Sequence, residues 1–175
     1  MLIPKGKSKD YFDLCILKGD LLMPSGNTKA LDAYDEVISD IEKENAEYSE
    51  IKARAHFQKA LFLESRKAPA ARLEFQKAAQ IWTMLQEFPK AAEANWRGLA
   101  FTLDIPRNMQ MEIIKEPPAV RVEVLRLWQA TLQQNVAKKQ SDVRKLASRG
   151  ELPSSLIRTF VAQARETVEI NRVEW

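Results

Sequence analysis

The stretch GDLLMPSGNTKALDAYDEV, residues 19–37, is answered by ALFLESRKAPAARLEFQKA, residues 60–78, 41 positions later. Gly19, Leu22, Ala30, Tyr34 and Val37 line up with Ala60, Leu63, Ala71, Phe75 and Ala78. Each set runs small, apolar, small, aromatic, then small or β-branched. A repeat of roughly 20 to 50 residues marks a supersecondary unit that cannot bury its own apolar face and stacks on its neighbours instead. The echo therefore predicts a helical scaffold whose work is to hold something else.

The surrounding residues predict the helices. One starts near Asp10 and runs through Leu14, Cys15, Leu17 and Leu21 to the turn Pro24-Ser25-Gly26-Asn27. Asn27 or Thr28 caps the next, which carries Leu31, Tyr34, Val37, Ile38 and Ile41 at 3- and 4-residue spacing. Together they make a helical hairpin. In the second hairpin Ser49 is the expected N-cap of a helix through Ala53, Phe57, Ala60 and Leu63, and Pro69 suits the first turn of a helix through Trp82 and Leu85. Pro89 is expected to end that helix. A third first-helix follows from Lys90 to about Leu103, its Gly98 lying 38 residues after Ala60.

Beyond Pro106 the echo decays. Only a short helix fits 107–115, and Pro117-Pro118 precedes a long one rich in Val, Leu and Trp. A last helix is expected from Ser154 or Ser155, with Leu156, Ile157, Phe160, Val161, Ala164 and Val168 on its apolar side. No segment alternates strictly as a half-buried strand does, so the class is all-α. The divisions read as a basic tail at 1–9, hairpins over 10–116 and a helical cap over 117–175.

On these residues the hairpins resemble the tetratricopeptide repeat family. Gly19, Ala60 and Gly98 match its small residue in the first helix, and Ala30-Tyr34-Val37 and Ala71-Phe75-Ala78 match the small-aromatic-small group of the second. Three departures stand out, the first being an interval from the small residue to Ala that is one shorter than the usual motif in both repeats. The periods of 41 and 38 exceed the family's usual length, and Met109 and Ile113 replace the third group. The resemblance covers about residues 11–103 and implies a right-handed array whose first helices line a concave groove. By that reading Asp13, Ile16, Asp20 and Met23 face the groove in the first hairpin. Arg54, Phe57, Leu61 and Glu64 do so in the second, and Ala92, Asn95, Leu99 and Thr102 in the third. Arg54, Phe57, Leu61, Asn95 and Leu99 are the candidate protein-binding set, alternating apolar contact with hydrogen-bonding groups, as an extended or helical peptide requires. The family's carboxylate clamp needs Lys, Asn and Arg in three hairpins, and only Arg54 and Asn95 offer anything similar.

Composition narrows the alternatives. Of 175 residues, 45% are apolar and 29% charged, which is ordinary for a folded domain. The net charge of +3 is too mild to demand nucleic acid. One cysteine, Cys15, rules out an internal disulfide and points to a reducing, cytoplasmic setting. No apolar run approaches the roughly 20 residues of a membrane span, and residues 1–7 lack the apolar stretch of a secretory signal.

No metal-ligand cluster, phosphate loop or nucleotide fingerprint is present, so no metal, cofactor or catalysis is expected. Cys15 and His56 hold equivalent repeat positions and read as a buried thiol and a surface imidazole, not a nucleophilic pair. Asp32, Asp35, Glu36, Asp40, Glu42 and Glu44 circle one helix and read as a solvated face. Trp82 and Trp128 belong in cores, whereas Trp175 is an exposed anchor for a partner or a second copy. The alternative function is nucleic-acid contact. From Arg121 onward ten Lys/Arg face six Asp/Glu, and Lys138, Lys139, Arg144, Lys145 and Arg149 cluster ahead of a Gly150 turn and a helix, as in a helix-turn-helix.

Overall fold

The computed structural model describes residues 7–44, 48–103, 105–134 and 152–173. Among them the chain forms eight helices and no strand. These are α1 (Lys9–Leu22), α2 (Lys29–Glu44), α3 (Ser49–Ser65), α4 (Ala70–Met84), α5 (Phe88–Thr102), α6 (Arg107–Ile113), α7 (Pro118–Gln134) and α8 (Ser154–Val173). Two compact units result, one ending at Ala94 and one beginning at Asn95. The division falls inside α5 instead of at 116/117, because the two halves of that helix feed different cores. Ala91 and Ala94 join Ala53, Ala78, Ala79 and Trp82, whereas Trp96 and Leu99 pack with Met109, Ile113, Val124 and Trp128.

In the first unit α1 packs on α2, α2 on α3 and α3 on α4, so each helix lies against the next, and α1 also touches α3. Ser8 caps α1 by accepting from the Tyr11 amide at 3.3 Å. Lys7, expected in a loose tail, instead donates to Asp40 at 2.5 Å and to the Tyr11 hydroxyl at 3.1 Å. Gly26, at φ 66°, turns the chain, and Asn27 Oδ1 accepts from the Lys29 amide at 3.0 Å to start α2. Ser49 opens α3 but is not its N-cap, a position Tyr48 holds. Pro89 does not end α4. That helix closes earlier, through left-handed Gln86 (φ 61°), with the Glu87 amide donating to Trp82 O at 2.8 Å, and Pro89 lies in the first turn of α5.

The repeat residues sit at the helix interfaces. Ala30, Tyr34, Val37, Ala60, Ala71, Phe75 and Ala78 are fully buried. The first core joins Phe12 and Ile16 of α1, Tyr34, Val37 and Ile41 of α2, and Ile51, Ala55 and Phe62 of α3. Each fully buried large apolar side chain contributes about 1.5–3 kcal/mol. Ile16, placed on the groove wall by the repeat reading, belongs to this core. Successive first helices are also tied by side-chain bonds, the first of them at the repeat interval. Arg54 bonds Asp13 at 2.8 Å, 41 residues back, and Lys90 bonds Glu50 at 2.8 Å, 40 back. Trp82 Nε1 donates to the other oxygen of Glu50 at 2.7 Å.

The second unit is built by α7 packing on α8, with the short α6 against both. Trp128 is fully buried beside Phe160. Asn108 holds the start of the α8 segment, donating to Leu152 O at 2.7 Å and accepting from its amide at 3.1 Å. Arg165 of α8 clasps Glu116 with two nitrogens, at 2.6 and 3.0 Å.

The closest contact in the first hairpin explains the small residue at position 19. A Cβ built on Gly19 falls 2.7 Å from Tyr34 Cζ and 3.0 Å from Cδ1, closer than van der Waals packing allows. The ring is buried and its hydroxyl is tied to Asp20 at 2.8 Å, so it has little freedom to retreat. Gly19→Ala is therefore expected to cost about 1–3 kcal/mol, although a helix interior favours Ala over Gly by about 1 kcal/mol. In a Tyr34→Leu background the same change should cost nothing or stabilise. Urea denaturation of the four proteins of this cycle checks it, and an equal cost in both backgrounds would refute the ring contact as the cause.

Candidate functional site

Three helices of the first unit turn a polar stripe toward one cleft of about 570 Å³. Asp35, Ile38 and Glu42 come from α2, Lys52, His56 and Lys59 from α3, and Glu74, Lys77 and Ile81 from α4. In each helix the spacing is three or four residues, which puts the side chains on one face.

The floor of the cleft is a buried imidazole–carboxylate hydrogen bond. His56 is 4% and Glu74 5% exposed, and Nδ1 lies 2.6 Å from Glu74 Oε2. The other carboxylate oxygen faces Lys77 Nζ at 3.4 Å and Lys59 Nζ at 3.7 Å. Toward the rim Lys59 bonds Asp35 at 2.7 Å and Lys52 bonds Glu42 at 2.9 Å. Burial alone would push the Glu74 carboxyl up. The His56 hydrogen bond and the charges of Lys59, His56 and Lys77 outweigh it and hold the group down at about 2. Glu74 is thus an ionised acceptor at neutral pH, and His56 Nδ1 carries the proton between them. The Lys52 ammonium likewise draws Glu42 below the usual carboxylate range.

His56 is therefore buried, not the surface imidazole its neighbours in sequence imply. Its partner comes from α4, 18 residues on, so nothing local announces the pair. One signal was available, since Glu74 sits between Ala71 and Ala78 on the stripe that α4 buries. The acidic residues of α2 are likewise not a merely solvated face. Asp35 and Glu42 reach α3, the Tyr11 hydroxyl donates to Glu36, and Lys7 binds Asp40.

Of the sequence-derived binding set, Arg54, Phe57 and Leu61 share one face of α3. Arg54 is exposed and paired with Asp13, and Leu61 is half-buried. Phe57 is also half-buried, its ring 5.6 Å from that of Phe75 and 5.4 Å from that of Trp82. Asn95 and Leu99 are half-buried on α5 and belong to the second unit, where Leu99 packs on the core. Cys15 is half-buried against the first core, on α1. Lys138, Lys139, Arg144, Lys145, Arg149 and Trp175 lie outside the described residues. Among the described residues no group of His, Cys, Asp and Glu is placed to hold a metal ion, and no helix is long and apolar enough to cross a membrane. Set against known proteins, the chain matches no family model, no curated protein and no solved structure.

Because the Glu74 carboxyl is held below its ordinary 4.5, the pair adds stability that is present above that value and lost as the pH falls toward about 2. Glu74→Gln should be less stable than the parent at pH 7, with the gap closing between about pH 4.5 and 2. Denaturant unfolding at stepped pH measures this, and a gap that stays constant would show that the charge contributes nothing. Removing one partner, as in Glu74→Leu, should cost about 3–5 kcal/mol, whereas His56→Leu/Glu74→Leu should return near or above the parent.

Proposed function

We propose that the chain is a non-catalytic protein-interaction scaffold of tetratricopeptide-like hairpins, which holds a peptide or helix of another protein along the side-by-side first helices α1 and α3. The observation that carries this reading is the Asp13–Arg54 bond at 2.8 Å. It joins equivalent positions of successive hairpins and sets the two first helices in the register that a repeat groove requires. Leu61, half-buried, and Arg54, exposed, offer such a ligand apolar area and a donor beside each other on α3. The single cysteine favours a reducing, cytoplasmic setting.

Selection of peptides from a random display library against the immobilised protein, followed by amide chemical-shift mapping of the bound peptide, tests the reading. Shifts are expected at Asp13, Arg54 and Leu61. Leu61→Glu should weaken the selected peptide about tenfold or more with little change in melting temperature, because Leu61 is outside the buried core. Shifts confined to other helices, or an unchanged affinity in that variant, would overturn it.

A further inference from the structure

α1 has two apolar faces and the fold uses one. Phe12, Ile16 and Gly19 are buried against α2 and α3, while Leu14, Leu17 and Leu21 stand 65%, 51% and 73% exposed in a line on the opposite side. Their spacing of three and four residues is that of a helix–helix seam. The repeat identifies what such a seam does. Moved forward 41 residues, Leu14 and Leu21 become Ala55 and Phe62, which are buried in the core that α3 shares with the preceding hairpin. Leu14 and Leu21 therefore occupy the stacking face of a hairpin, with Leu17 between them where α3 has the half-buried Gln58, and nothing in the described chain covers it.

We propose that a second copy of this chain covers that face, with the two α1 helices packed parallel about a two-fold axis. Charge selects both occupant and direction. Lys18, exposed and without an ion pair among the described residues, flanks the leucines on one side, and Asp13 and Asp20 flank them on the other. A parallel two-fold pair lays the Lys18 edge of one helix against the acidic edge of its mate. Lys18 then meets Asp13 of the partner subunit, five residues apart in register, the usual cross-pairing of parallel coiled coils. An antiparallel pair would instead bring the two Lys18 side chains together at its midpoint. The aspartates retain acceptor capacity, because Arg54 and the Tyr34 hydroxyl each use only Oδ1. The self-association face shares Asp13 with the peptide reading above but does not depend on that reading.

Sedimentation equilibrium of the full chain over a wide concentration range tests the proposal. The mass should rise from 20.0 kDa toward twice that value. Leu17→Glu should weaken association about tenfold or more, with unchanged circular dichroism because Leu17 is outside the core, and Leu61→Glu should leave it unchanged. Lys18→Glu should weaken it as well. In a Cys15→Ala background, Leu14→Cys should crosslink to itself on mild oxidation, since a parallel seam sets each position against its own copy. A chain that is monomeric at every concentration would overturn the proposal, as would dimers indifferent to Leu17→Glu. A monomer that binds an added leucine-rich amphipathic helix through Leu17 assigns the face to a different protein and overturns it equally. Crosslinking by Leu17→Cys but not Leu14→Cys would reverse the direction and so refute the parallel pairing.

Discussion

The first hairpin is set by the Tyr34 ring lying on the bare backbone of Gly19. The ring is fully buried, and its hydroxyl donates to Asp20. Burial and that bond together push the Tyr34 hydroxyl well above its ordinary pKa, so it stays a neutral donor at any physiological pH. The close approach of α1 and α2 fixes where Val37 and Ile41 fall, and these form the surface on which Ile51, Ala55 and Phe62 of α3 pack. The second hairpin has Ala60 where the first has Gly19 and Phe75 where it has Tyr34, both fully buried. Phe75 has no hydroxyl to place, and ring contact with Phe57 takes over its orientation.

Apolar packing of this kind is non-directional, and helices of similar face can slide past one another by a turn. Charges supply the register. The acidic residues of α2 have partners on both sides, Lys7 and Tyr11 before it and Lys52 and Lys59 after it. Exposed pairs such as these contribute little each, and holding register is a better account of them than stability. The His56–Glu74 pair differs because it is buried. Desolvating the carboxylate costs several kcal/mol, which the His56 hydrogen bond and the two lysines offset. A slip of α3 against α4 would leave the buried carboxylate and the buried imidazole without partners, so the pair penalises misregister far more than it rewards the native state.

Much of this architecture was legible in the sequence because it rests on short-range periodicity. The 41-residue echo located the hairpins, Asn27 marked the start of α2, and Tyr34, Phe75, Trp82 and Trp128 are buried as their apolar stripes require. What could not be read depended on residues distant in the chain. His56 looked like an isolated surface imidazole because Glu74 lies a helix away. The edge-on and tilted contacts of the half-buried Phe57 ring with Phe75 and Trp82 were likewise not readable from its neighbours. Pro89 looked like a stop because proline opens a first turn as readily as it ends a helix, and only the Gln86 closure settles which.

The decay of the repeat after Gly98 has a physical reading of its own. Gly19 and Tyr34 are 15 residues apart, as are Ala60 and Phe75, and 15 residues beyond Gly98 stands Ile113, also fully buried. The 15-residue spacing from a small residue to a large buried one thus survives in the sequence of the second unit, although the aromatic does not. Pro106 and the short span of α6, seven residues, leave too little helix to present the rest of a second-helix face. That face is supplied from further along the chain, where α7 contributes Val120, Val124, Leu125 and Trp128 and α8 contributes Ile157, Phe160 and Ala164 to the same core as Met109 and Ile113. A hairpin whose second helix is cut short cannot offer the next hairpin a stacking surface. The array therefore gives way to a core closed by α7 and α8, and the loss of the sequence signature follows from the shortened helix.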